Sequence, residues 1–123
     1  MAAPTRPGEF FTYREFQLAS TIRLSAADRR GLRILCSVYL DPMRRRFGRC
    51  QVHSAGRSVK HNAQVGGASR SYHVYRLRPG DAAADVSFAT GTPREWAEMA
   101  RSLGPTWSEE YVGHVHVDTR DLI

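Results

Sequence analysis

The sequence predicts an α+β protein in which a small β-sheet packs against helices. Helical periodicity governs much of the first half of the chain, and short stretches of two-residue alternation lie in the second half. With 123 residues the chain has the size of one ordinary domain, so we expect a single domain over residues 1–123. Its apolar fraction of 41% and charged fraction of 24% are typical of proteins that bury a core.

The N-terminal part of the chain should lead into an amphipathic helix. Residues 1–8 are expected to form a flexible arm, and the aromatic-rich residues 10–16 should dock a turn of helix onto the core. Ser25 is a candidate N-cap, because a serine hydroxyl can accept a hydrogen bond from the first helical turn. One apolar face then follows from the helical spacing of Leu32, Leu35, Cys36 and Tyr39.

Pro42 should interrupt this helix. It has no backbone N–H, so we expect the helix to stop or kink near Asp41, restart at Pro42 and end at Gly48. The restarted helix carries the arginine run 44–46. Three adjacent positions fan around a helix, so this run indicates a solvated face more strongly than a nucleic-acid site.

Three strands and one further helix are predicted in the second half. The strand candidates are residues 50–53, 82–88 and 114–119, and residues 54–71 should form a long ordered loop. Thr92 followed by Pro93 and Glu95 has the pattern of a capping box, which predicts a helix from there to Gly104.

The sequence argues against a membrane protein, an exported protein and a redox protein with a C-x-x-C pair. The most apolar run, residues 34–40, is too short to span a bilayer, and the N-terminus shows no export signal. Cys36 and Cys50 form no C-x-x-C pair and are expected to be buried free thiols. The net charge of +6 would suit any polyanion, so charge alone indicates no specific nucleic-acid partner.

The strand at residues 114–119 carries the first candidate site. Strand alternation places His114, His116 and Asp118 on one face, with Val115 and Val117 on the other. The valines should face the core and the polar residues a cleft. Taken alone, a His-x-His strand is as readily a polar, solvent-facing stripe.

Asp85 adds weight to a metal site. It lies within residues 82–88, where small and apolar neighbours imply burial, and a buried carboxylate needs a metal or another cation as its partner. Two imidazoles and one carboxylate, with a fourth position left to water, form a known ligand set for catalytic zinc. Such a site would suit the hydrolysis of an amide.

Five further segments matter for their order along the chain: residues 54–58, 61–68, 71–73, 80–86 and 114–118. Together they resemble the M15 family of zinc D-Ala-D-Ala carboxypeptidases and related endolysin peptidases. The family has a first motif S-x-H-x-x-G-x-A-x-D and a second motif H-x-H, and the similarity runs from about residue 40 to residue 120. The resemblance implies a small antiparallel sheet that carries the zinc site and packs against helices, as in the Hedgehog/DD-peptidase fold.

The resemblance also implies the roles of individual residues. His73, Asp85 and His116 would be the Zn²⁺ ligands, and His114 would be the catalytic acid/base. Arg57 matches the arginine of the family's S-G-Y-R-S loop, where it would bind a substrate carboxylate or stabilise an oxyanion, although it could instead only anchor the loop. Asp118 would support a ligating histidine. His53 and His61 match no ligand position.

Two departures from the family pattern bear on these roles. Eleven residues separate His73 from Asp85, five more than in the family motif, which we interpret as a longer hairpin loop. Asp81 is the competing ligand, but Asp85 keeps the Ala-Ala-Asp context, whereas Asp81 follows Pro-Gly and resembles a turn residue. Ala55 and Gly56 replace the family's loop aromatic, which leaves substrate preference open.

The leading hypothesis is therefore a zinc peptidase that cleaves amide bonds in peptides of bacterial peptidoglycan, as a carboxypeptidase or an endolysin-type endopeptidase. Without an export signal, we expect synthesis in the cytoplasm and action at the cell wall after release or as part of a phage particle. The alternative is a virion structural or assembly protein that keeps the fold without turnover and has other virion proteins as partners.

Overall fold

The fold is described from a computed structural model, which covers residues 5–17, 23–56, 73, 80–120 and 122. Four strands form one antiparallel sheet in the order β1-β2-β4-β3. The strands are β1 (Cys50–Ser54), β2 (Ala83–Phe88), β3 (Glu109–Tyr111) and β4 (His114–Asp118). Together with the helices, this sheet confirms the predicted α+β class and its antiparallel pairing.

Helical segments precede the sheet and also connect its two halves. A 3-10 helix, Tyr13–Phe16, is followed by α1 (Ala26–Leu35), a π-helical segment (Cys36–Leu40) and α2 (Asp41–Phe47), while α3 (Pro93–Leu103) joins β2 to β3. Ser25 caps α1 as predicted: its Oγ accepts a hydrogen bond from the Asp28 N–H at 3.1 Å, and Asp28 accepts one from the Ser25 N–H. Thr92 similarly accepts a bond from the Glu95 N–H.

The helix does not stop at Asp41, which corrects part of the sequence interpretation. It continues through the π-helical segment, in which the Asp41 N–H donates to the carbonyl oxygen of Cys36, five residues earlier. Pro42 then occupies the first turn of α2, where a missing N–H costs least. As predicted, α2 ends before Gly48, which has a φ of 85°.

The arginines of α2 contact the N-terminal segment. Arg45 forms an ion pair with Glu9, and the Arg44 guanidinium lies 4.6 Å from the centre of the Phe10 ring. Glu9 also donates its backbone N–H to the buried Asp41 carboxylate at 2.9 Å. Arg45 and Arg46 are nevertheless exposed, as expected for a solvated helix face.

One face of the sheet packs on the helices to form the core. Val115 and Val117 of β4 are fully buried there, as strand alternation predicted. Trp96 of α3 packs edge-on against Phe88 of β2, with ring centres 5.5 Å apart, and donates its Nε1–H to the Thr90 carbonyl oxygen. The opposite face of the sheet is thereby left for polar side chains.

Both cysteines are free; Cys36 is buried as expected, whereas Cys50 is only partly buried because it begins the edge strand β1. Among the residues that the structure describes, none of the helices combines the length and the apolarity needed to cross a membrane.

Candidate metal centre

The pairing of β2 with β4 brings Asp85 and His116 together. These residues are direct partners in the antiparallel register, so their side chains leave the sheet on the same face. Ser54 of β1 is the partner of Asp85 on the other side. The register thus places a carboxylate and an imidazole side by side although 30 residues separate them in the chain.

His73 completes a cluster of three side chains. Its Nδ1 lies 2.7 Å from the carbonyl oxygen of Ala55, just after β1, and its Nε2 points toward Asp85 and His116. All three residues are buried, with exposed fractions of 4% for His73 and 8% for Asp85 and for His116. The structure therefore brings together the three residues predicted as zinc ligands.

The three inward atoms form a nearly equilateral triangle. His73 Nε2 lies 3.2 Å from His116 Nδ1 and 3.3 Å from Asp85 Oδ1, and the last two atoms are 3.0 Å apart. Ligands about 2.0 to 2.2 Å from a tetrahedral zinc ion lie about 3.3 to 3.6 Å from one another. The observed edges thus approach those of one face of such a tetrahedron.

Hydrogen bonds on the outer ring nitrogens direct the inner nitrogens toward a cation. Because the Ala55 carbonyl oxygen can only accept, a neutral His73 donates from Nδ1 and keeps a lone pair on Nε2. His116 Nε2 lies 2.9 Å from Oδ2 of Asp118, an arrangement that leaves the lone pair of a neutral His116 on Nδ1. Together with Asp85, two lone pairs and a carboxylate then converge, which is unfavourable unless a cation lies among them.

The pKa values of His116 and Asp85 show how strongly these two side chains interact. Burial by itself disfavours the charged form of His116, but hydrogen bonds and ion pairing with Asp118 and Asp85 outweigh burial and raise the pKa to about 9. Burial would also raise the pKa of Asp85, yet the His116 and His73 imidazoles, 3.0 and 3.3 Å from its Oδ1, hold that pKa well below its usual range. A donor set of this chemistry fits a divalent cation.

Asp118 is held by several donors behind His116. It is fully buried, and its Oδ2 accepts hydrogen bonds from Nε and from a terminal nitrogen of Arg120 at 2.9 and 2.8 Å. The Trp107 N–H donates to its Oδ1 at 3.1 Å. Strand alternation predicted that Asp118 would face a cleft, and this prediction is wrong. Asp118 is buried and orients the His116 ring from the side away from the triangle.

The remaining predicted site residues occupy different positions. His114 lies on the same face of β4 as His116 and is partly exposed. Asp81, the competing ligand, lies apart from the triangle and accepts a hydrogen bond from the Thr119 hydroxyl at 3.0 Å. Arg57 and His61 lie outside the described residues.

Four side chains close to these histidines have no assigned role in the sequence interpretation. Strand β3 pairs with β4 so that Glu109 is opposite His116 and Tyr111 is opposite His114. His53 lies beside His114, and Arg120 binds Asp118. The alternation of Glu109 with Tyr111 could have indicated a strand, but three residues are too few to stand out from a loop.

A search of curated proteins finds no match to the chain. The family model described as Peptidase M15 matches residues 9–118, which include every strand and helix described above and all three residues of the triangle. This match confirms the resemblance seen in the sequence motifs and supports a metallopeptidase. The chain therefore belongs to the peptidase M15 family.

Proposed function

We propose that this protein is a zinc-dependent peptidase that hydrolyses amide bonds in the peptides of bacterial peptidoglycan. The observation that carries the proposal is the convergence of His73, Asp85 and His116, whose inward atoms are 3.0 to 3.3 Å apart and buried. Membership of the peptidase M15 family supports the same reaction class. The choice of peptidoglycan rests on the motif resemblance.

His73 Nε2, Asp85 Oδ1 and His116 Nδ1 would hold the zinc ion, and the bonds to Ala55 and Asp118 would fix both imidazole rings. Zinc bound there would supply Lewis-acid chemistry, polarising the carbonyl of the scissile amide. His114, two residues before His116 on the same strand face, would take a proton from the attacking water and return it to the leaving amine. Arg57 would bind a carboxylate of the substrate or the developing oxyanion.

The finer alternatives are a D-Ala-D-Ala carboxypeptidase and an endolysin-type endopeptidase of phage origin, which would act at the cell wall. A non-catalytic virion or assembly protein is the second candidate. It is favoured by the long segment between His73 and Asp85 and by Ala55 and Gly56 in place of the family's loop aromatic.

Metal analysis combined with two histidine variants tests the proposal. Wild-type protein supplied with zinc should bind one ion per chain and release amino groups from purified peptidoglycan. His116→Ala should lose both properties, because it removes one corner of the triangle. His114→Ala should keep the zinc but lose activity by at least about 100-fold, the contribution expected of a general acid/base.

Glu110→Gln provides the matched control, because Glu110 is exposed on β3 and alternates away from the site face; this variant should behave as wild type. A zinc content far below one per chain would refute the metal assignment. An active His114→Ala would show that another group handles the proton. Full zinc occupancy without turnover on peptidoglycan or its isolated stem peptides would favour the non-catalytic alternative.

A further inference from the structure

The imidazole of His114 lies between two other rings. Tyr111 stacks on it, with ring centres 4.7 Å apart and planes inclined by 16°. On another side, the His53 ring centre is 5.7 Å away, and His53 Nε2 lies 2.7 Å from the Ser87 hydroxyl oxygen. His114 is thus partly exposed to solvent but confined by its neighbours.

Tyr111 is itself held in place. Its hydroxyl donates to Oε2 of Glu109 at 3.0 Å, and the same oxygen accepts the Nε1–H of Trp107 at 3.3 Å. The Trp107 backbone in turn donates to Asp118, which bonds His116. Contacts through Tyr111, Glu109 and Trp107 therefore connect His114 to Asp118, the residue that bonds His116.

The exposure of these rings argues against a role in core packing. Tyr111 is 40% exposed and Trp107 is 53% exposed, so each leaves much of its surface in water. Neither belongs to the buried core formed between the sheet and the helices. Tyr111 and Glu109 instead lie on the same face of the sheet as the triangle of His73, Asp85 and His116.

We propose that Tyr111 is a positioning residue for His114 and that Glu109 holds Tyr111 in the stacked position. This inference rests on the proposed function, in which His114 moves the proton. A partly exposed imidazole can turn about its side-chain bonds, and a planar ring against one face leaves it a narrow range of orientations. A proton-transfer group displaced by about 1 Å can lose about 100-fold in rate.

The β3–β4 hairpin provides the geometry for the stack. Tyr111 and His114 are direct partners across the antiparallel pair, and Val112 and Gly113 form the turn between them. Gly113 has a φ of 82°, a left-handed conformation that glycine adopts without strain. The short turn brings the two rings onto the same face at the end of the sheet.

The test compares Tyr111→Ala, Tyr111→Phe and Glu109→Gln with two controls on the same hairpin, Glu110→Gln and Val112→Ala. Val112 is fully exposed, so its truncation should leave packing and turnover unchanged. Each zinc-loaded variant is assayed for zinc content, kcat and KM on peptidoglycan stem peptides. In parallel, NMR of the zinc-free proteins follows the carbon-bound ring protons of His114, assigned by their loss in His114→Ala.

In Tyr111→Ala, we expect kcat to fall by about 10- to 100-fold while KM and zinc content stay within about twofold of wild type. The upfield ring-current shift of the His114 protons should disappear in this variant. Tyr111→Phe keeps the aromatic ring, so it should keep the shift and a kcat within about threefold of wild type. Glu109→Gln weakens the same hydroxyl bond that Tyr111→Phe removes, so its kcat should fall no further than that of Tyr111→Phe. Glu110→Gln and Val112→Ala should match wild type.

Three results would overturn the positioning role: an unchanged kcat in Tyr111→Ala, a rise in KM without a fall in kcat, or His114 resonances that do not respond to loss of the tyrosine. A wild-type protein that binds zinc but never turns over would instead overturn the proposed function, and the positioning role with it. Activity of the wild type therefore distinguishes the two failures.

Discussion

The hydrogen bond between His116 and Asp118 determines which nitrogen of the imidazole faces the triangle. Asp118 is fully buried and approaches Nε2, while Nδ1 lies 3.0 Å from Asp85. A carboxylate in this position both orients a ligating histidine and increases its basicity. At the scale of single residues, this contact has the clearest consequence for metal affinity.

We therefore predict that Asp118→Asn weakens zinc binding by about 10- to 100-fold. An amide carries no negative charge to stabilise His116 and cannot balance the Arg120 guanidinium, which lies 2.8 Å from Oδ2. Competition with a chromophoric zinc chelator measures the change, and Glu110→Gln controls for the loss of an acidic residue. An affinity equal to that of wild type would show that Asp118 serves only the fold.

A second prediction at this scale concerns thiol reactivity. Burial and, to a smaller extent, the Glu15 carboxylate raise the pKa of Cys50 to about 12, against a smaller opposing effect of Arg44, and burial also raises the pKa of Cys36. The thiolate is the reactive form, so native protein at pH 8 should label far more slowly than protein unfolded in urea.

Below its pKa, the thiolate fraction grows about tenfold for each pH unit, so the native labelling rate of Cys50 should rise steeply from pH 8 to pH 11. Mass spectrometry after labelling with a disulfide reagent distinguishes the two cysteines. Rapid native labelling at pH 8 would contradict the raised pKa values.

At the scale of secondary-structure elements, local signals in the sequence explain where the helices begin. Ser25 and Asp28 exchange hydrogen bonds of 3.1 and 2.8 Å at the start of α1. The reciprocal bonds satisfy backbone and side-chain groups that would otherwise have no partner within the helix. Such a device acts within four residues and needs no tertiary contact, which is why the sequence predicts it.

Replacing the cap should lower the stability of the protein without altering the site. Ser25→Ala is expected to reduce the free energy of unfolding by about 1 kcal/mol, the usual cost of an N-cap serine. Urea denaturation measures the change, and Ser102→Ala, an exposed serine within α3, should change the free energy by less than about 0.5 kcal/mol. Equal effects of the two substitutions would argue that the Ser25 cap contributes nothing specific.

At the scale of the whole molecule, the proposed metal ion would join distant parts of the chain. His73, Asp85 and His116 come from the segment after β1, from β2 and from β4, and they approach one another only when the sheet is formed. A ligand that binds the native but not the unfolded state stabilises the native state by mass action. Zinc should therefore act on global stability as well as on activity.

We predict that free zinc at 100 times its dissociation constant raises the free energy of unfolding by about 2.7 kcal/mol, and that a chelator reverses the gain. Denaturant unfolding with and without zinc measures this difference. His116→Ala should show no zinc-dependent gain, because one ligand is missing, whereas His114→Ala should gain as much as wild type. A similar gain in His116→Ala would place the binding elsewhere.

Much of the fold could be predicted because its signals are local. The capping residues, the alternation in β1 and β4 and the position of Gly48 each depend on neighbours within a few residues. Strand β3 was missed because three residues carry too little periodicity, and it forms through its pairing with β4. The π-helical segment was also missed, since the pattern before Pro42 predicts an interruption but not how the backbone adjusts.

The candidate site was predictable in part. The H-x-H strand, the Ala-Ala-Asp context and the Ser-x-His match to the family motif identified the residues, and the structure brings the proposed three together. Their assignment as ligands remains a proposal. The spacing from His73 left both Asp81 and Asp85 as candidate ligands. In the structure, Asp81 bonds to Thr119, whereas Asp85 faces two histidines.

By itself, the sequence determined α1, α3, the strands β1, β2 and β4, the polar face of β4 and the family motifs, because residue types and spacing along one segment are enough for each. Only the tertiary structure decided the register of β2 against β4, the bond from His73 to Ala55 and the stack of Tyr111 on His114. The first and the last of these depend on pairing across strands, where a shift of one residue would turn each side chain to the opposite face. The bond from His73 joins residues that are 18 positions apart in the chain.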